Sequence, residues 1–209
     1  MEIMNLPVDG FICSFGVTIF AEGDFIHREL LDRELMRHFA EYAFANQIPL
    51  DFVGEDIRLS VHHEIPHGIS LKSPEELFTR YGLAKISKIV VQGQWPEAFY
   101  DHFREYCSVV VSKPYFEAVH KGYTKSSGIQ FIENYYGIPH ENTVAIGDTL
   151  PDLEMIRYAG IGIAMGSGSP ALLEQVRYVT DTLANDGVAV AMDCVLRGDL
   201  SALEKKEQE

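Results

Sequence analysis

TVAIGDTLPDLEMIRYAGIGIAMG, residues 143–166, decides the reading of this chain. An apolar run over 143–148 ends in Asp148, and Asp152 follows four residues later. Pro151 stands where a helix can begin, because the first turn has no use for the N–H that proline lacks. The helix expected over 151–160 stops at Gly160, and a second apolar run, IGIAMG at 161–166, follows at once. Strand, helix and strand at this spacing form a parallel crossover unit.

The same alternation extends in both directions. A helix is expected over 125–137, closed by Gly137 and Pro139, with another over 169–176, a short strand at 178–181 and a last helix over 187–196. The class is α/β, with a mostly parallel, doubly wound sheet in this half. Ligands of such sheets gather at the carboxyl ends of the strands, where Asp148 and Asp152 stand. Two hard carboxylates beside a helix start suit Mg2+, which binds few protein ligands plus waters and a substrate phosphate. The same pair equally serves as a plain helix cap. Lys125, where a loop enters a helix, can neutralise a phosphate or a carboxylate across the sheet edge, or simply face water. NDG at 185–187 reads as a turn, with a site role for Asn185 as the lesser option.

The first 120 residues have a different grammar. DGFICSFGVTIF (9–20) reads as a hairpin with a tight point at Gly16. A helix is expected over 32–46 with Asp32 as N-cap, extended chain over 49–61 with a turn near Gly54, and a helix over 73–83 capped by Ser73 with Glu76 in the capping-box position. A short strand at 88–93, an amphipathic helix at 96–107 and one or two strands over 108–120 follow. HHEIPH (62–67) offers His62, His63 and His67 as a weaker zinc site, which Pro66 places in a loop.

The 209 residues are 46% hydrophobic and 23% charged, ordinary for a globular chain. A net charge of −14 disfavours sequence-independent nucleic-acid binding, which runs on Lys and Arg neutralising phosphates. No apolar run is long enough for a membrane span, and the N-terminus does not read as a signal peptide. Cys13, Cys107 and Cys194 are odd in number and far apart, so free thiols in a reducing cytoplasm are expected.

Residues 121–192, from KGYTKSSG through AIGD and AMG to NDGVAVAM, closely resemble the C-terminal half of the core domain of haloacid dehalogenase (HAD) superfamily phosphatases of the Cof type. DGFICSFG resembles, more loosely, a strand of the same family. The resemblance implies a Rossmannoid core with an inserted α/β cap: residues 1–20 a core strand and hairpin, 21–118 the cap, 119–200 the C-terminal half of the core, and 201–209 a frayed tail. It implies that Lys125 bridges phosphate and nucleophile, and that Asp148 and Asp152 hold Mg2+ directly and through water. Pro151 and Phe15 depart from the family pattern, each replacing an asparagine.

The family's nucleophile is the first aspartate of a DxD motif. No two of the twelve aspartates here are separated by one residue, so the sequence holds no DxD. The expectation is a truncated form of a Mg2+-dependent phosphomonoester hydrolase acting on a sugar phosphate or a similar small metabolite, inactive as it stands. The alternative is an inactive binding or regulatory module. Strand 143–148 would lose a ladder partner, leaving an exposed core edge that a homodimer could cover.

Overall fold

The computed structural model describes residues 8–205. The chain divides into two units, Met1–Thr124 and Lys125–Glu209.

The first unit opens with β1 (Gly10–Cys13) and β2 (Thr18–Ala21), an antiparallel pair joined by a 3-10 turn. The hairpin anticipated over 9–20 is therefore present. It continues into β3 (Asp24–Arg28), which makes a three-stranded sheet that the sequence pattern did not announce. Ser14, Phe15 and Gly16 all take positive φ in the turn. Asparagine tolerates that region better than phenylalanine does, so the Phe15 departure falls on a left-handed backbone position.

A second sheet of six strands has the order β6-β5-β4-β7-β9-β8. Its members are β4 (Leu50–Gly54), β5 (Arg58–Val61), β6 (Ile69–Ser70), β7 (Ile86–Gln92), β8 (Cys107–Ser112) and β9 (Tyr115–His120). All its pairings are antiparallel except β5 with β6. Three helices, α1 (Arg33–Asn46), α2 (Pro74–Thr79) and α3 (Glu97–Tyr106), accompany the sheet.

Helix α1 buries Met36, Phe39, Ala40 and Ala43 in one cluster with Leu50 and Phe52 of β4 and Phe103 of α3. Phe39 and Phe103 stack with ring centroids 4.2 Å apart, fixing α1 beside α3. Asp32 caps α1 as expected, its Oδ1 accepting from the Leu35 amide at 2.7 Å. Ser73 holds the N-cap position of α2, but its side chain makes no cap bond; Glu76 instead accepts the Lys72 amide at 2.7 Å. That helix ends at Thr79, and a turn closes between Tyr81 and Ala84.

In the second unit, β10 (Val144–Gly147), β11 (Ile161–Ala164) and β12 (Tyr178–Val179) form a parallel sheet in that order. It carries α4 (Lys125–Tyr136), α5 (Leu153–Tyr158), α6 (Pro170–Leu173) and α7 (Gly187–Arg197). Adjacent Ile163 and Ala164 enter different apolar clusters, Ile163 with Ala191 and Leu203, Ala164 with Ile156 and Leu172. Consecutive strand residues face opposite sides, so both faces of this sheet are covered. The fold class is α/β, as the sequence implied, and the parallel sheet has three strands among the described residues. The helix expected from Pro151 begins instead as a 3-10 turn over Leu150–Asp152, and α5 proper starts at Leu153.

Gln47 closes α1 in the left-handed conformation, φ 54° and ψ 44°. Glycine takes this conformation without the Cβ clash that a larger residue meets there. Gln47→Gly should raise stability by about 0.5–1 kcal/mol, the removed strain exceeding the entropy that glycine adds to the unfolded chain. A urea melt would show a higher midpoint at unchanged slope; an unchanged or lower midpoint contradicts the strain.

Candidate functional site

Asp148 is the first residue past β10, and Asp152 ends the 3-10 turn that follows. Thr149 caps that turn in a reciprocal box. The Asp152 amide donates to the Thr149 carbonyl at 2.8 Å, while Asp152 Oδ2 accepts the Thr149 amide at 3.0 Å and the Thr149 hydroxyl at 2.8 Å. The Asp148 amide donates to the same oxygen at 3.1 Å. Lys125, at the first position of α4, donates from Nζ to the other oxygen, Oδ1. Four donors thus converge on one carboxylate.

Asp152 is 4% exposed, whereas Asp148 is open to solvent. Burial pushes the Asp152 carboxyl up, but the Lys125 hydrogen bond and charge, together with the Thr149 amide and hydroxyl, outweigh it and hold the group below its ordinary value. Gly147 makes the packing possible. A Cβ there would sit 2.4 Å from Asp152 Cβ and 2.8 Å from Cγ, so only glycine can precede Asp148 with the carboxylate in place.

The loops leaving the parallel strands are laced together around this cluster. Ser169 donates its amide to the Asp148 carbonyl at 2.8 Å, Gly166 to the Asp181 carbonyl at 3.1 Å, and Leu183 to Ser167 Oγ at 3.3 Å. Asn185 donates to Asp181 Oδ1 at 3.0 Å, tightening the turn. Away from the site, Glu133 of α4 accepts from Tyr158 at 2.6 Å and pairs with His140 at 2.9 Å, which fixes α4 against α5.

The structure therefore brings together three residues singled out by sequence, Lys125, Asp148 and Asp152. Thr149 was not among them. Its signal was legible as T-x-x-D, a capping-box pattern, three residues before Asp152.

A hard cation that takes one or two carboxylates and completes its shell with water and phosphate fits the donor set of Asp148 and Asp152. Among the described residues no group of three or more His, Cys, Asp or Glu is assembled for a metal. The zinc reading of HHEIPH is corrected by the same observation. His63 turns to the buried Asp51, its Nε2 2.7 Å from Oδ1, and His62 and His67 occupy positive-φ turn positions.

A family model for haloacid dehalogenase-like hydrolases matches residues 2–192. The chain belongs to that family. This haloacid dehalogenase-like chain is 30% identical over 195 residues to the putative phosphatase YkrA of Bacillus subtilis, covering 90% of its own length and 76% of that relative. It is 44% identical over 73 residues to 5-amino-6-(5-phospho-D-ribitylamino)uracil phosphatase YitU of Bacillus subtilis, a stretch that spans only 27% of that enzyme. Among solved structures, a sugar phosphatase of HAD subclass IIB superposes with a TM-score of 0.76 at 23% identity, over 90% of this chain and 76% of that one. A phosphatase of the same superfamily from Bacteroides thetaiotaomicron gives 0.78 at 20% identity, over 90% and 74%. At these identities the likeness is one of fold.

Removing the Asp152 carboxylate leaves a lysine and three local donors without their acceptor. Asp152→Ala should destabilise the unit by about 2–4 kcal/mol. Because the carboxyl is held below its ordinary 3.8, the stability it contributes is complete above that value and is lost as pH falls through the lower folded value. Urea melts from pH 6 down to about pH 2 would show this loss in the parent chain and not in Asp152→Asn. Equal acid slopes in the two proteins contradict the assignment.

Proposed function

We propose that this chain carries the phosphate- and metal-facing half of a Mg2+-dependent phosphomonoester hydrolase whose substrate is a sugar phosphate or a similar small phosphorylated metabolite. The observation that carries the reading is the Lys125–Asp152–Asp148 cluster at the carboxyl end of β10. The names borne by the relatives, a putative phosphatase and a ribitylaminouracil phosphatase, support the reaction class, and the subclass IIB sugar phosphatase supports the substrate class.

Lys125 would neutralise phosphoryl oxygens and keep Asp152 oriented. Asp148 directly, and Asp152 through water, would hold magnesium, which when bound supplies further charge neutralisation around the transferring group. In the family, a carboxylate nucleophile attacks phosphorus and a second acid protonates the leaving group. The sequence has no DxD to provide them, so the chain by itself is inactive. The unit Met1–Thr124 is read as the first hairpin followed by the cap, and Lys125–Glu209 as the C-terminal half of the core. The chain is read as working in a reducing cytoplasm, where Cys13, Cys107 and Cys194 stay free thiols.

A second reading, a binding or regulatory module, draws support from Phe15. It stands at φ 58° where the family's asparagine would sit, and it has no side-chain polar group to offer a site. Such a module would form a homodimer or hetero-complex through the edge of β10, indifferent to magnesium.

Joined to the DxD-bearing segment of a relative, the chain should hydrolyse p-nitrophenyl phosphate and sugar phosphates only with magnesium present. Lys125→Ala should lower kcat by about a hundredfold or more. The chain alone should not turn over. Turnover by the chain alone, or undiminished turnover in the joined Lys125→Ala and Asp148→Asn variants, would overturn the proposal.

A further inference from the structure

His38 of α1 and His102 of α3 meet in the first unit, and neither is among the residues discussed above as a site. Their Nε2 atoms are 3.1 Å apart, with ring centroids at 5.1 Å and planes inclined by 33°. Both rings are partly exposed. Tyr42 stacks on His102 at 4.1 Å, and Tyr106 lies against His38 at 4.7 Å, so both imidazoles are held in orientation by packing. The next residue on each helix belongs to the Phe39–Phe103 stack, which fixes the helix spacing. Sequence gives no hint of this pair, since 64 positions separate the two histidines.

Two imidazole nitrogens this close share either one proton or one cation. A metal at the usual zinc–imidazole distance of about 2.0–2.1 Å from both would subtend an N–metal–N angle of about 100°, which suits tetrahedral and square geometries. We propose that His38 and His102 form a two-imidazole site for a divalent transition metal, Zn2+, Ni2+ or Cu2+, that clasps α1 to α3. Imidazole suits these ions, and magnesium does not compete for such a site. No third protein ligand is assembled among the described residues, so water or an exogenous ligand completes the shell. The site is independent of the phosphatase reading.

The test is equilibrium dialysis of the full chain against Cu2+ and Zn2+, with the Cu2+ EPR spectrum and the melting temperature as further readouts. One equivalent of metal, a two-nitrogen hyperfine pattern and a raised Tm are expected. All three should disappear in His38→Gln and in His102→Gln, and persist in a His62→Gln/His67→Gln variant. Should one histidine variant fail to fold, the other decides, and the EPR spectrum of the parent chain decides without either. No bound metal in the parent, a one-nitrogen spectrum, or binding that survives both single variants would overturn the site.

Discussion

The second unit is organised around the Asp152 carboxylate. Its two oxygens collect the Lys125 ammonium, the Thr149 amide and hydroxyl, and the Asp148 amide. A carboxylate this buried is costly unless its lone pairs are filled, and here each oxygen has its donors. The consequences spread along the chain. Gly147 must lack a side chain, the helix after β10 must begin as a tight 3-10 turn, and α4 must start where Lys125 can reach across. One ion pair thereby fixes the ends of α4 and β10 and the entry to α5.

The first unit follows another rule. Its stability lies in one large apolar cluster between helices and a mostly antiparallel sheet, and the Phe39–Phe103 stack is part of it. The fully buried carboxylate of Asp51 meets Arg58 at 2.5 Å and His63 at 2.7 Å. That interaction turns His63 inward and leaves HHEIPH as a structured loop rather than a metal knuckle.

The family is shared along nearly its whole length, yet the sequence has no DxD, and its departures fall where the backbone is demanding. Phe15 takes a left-handed position suited to asparagine, and Pro151 sits inside the 3-10 turn that presents Asp152. Proline fits that turn because the capping box already takes its hydrogen bonds from residues on either side.

The sequence by itself determined the α/β class, the hairpin at the start and the strand–helix–strand unit of 143–166, and it singled out Lys125, Asp148 and Asp152 as candidates. Each is written in local chemistry: apolar periodicity, a proline or glycine at a helix end, a charge at a strand end. Tertiary structure decided what depends on residues far apart. Sequence spacing could not say that Lys125 pairs with Asp152 rather than facing water, that Thr149 closes the box, that Ser73 leaves its cap to Glu76, or that His38 and His102 meet across two helices. Those outcomes are set by which donors lie within reach of a buried acceptor once the chain has packed, a distance that no local pattern encodes.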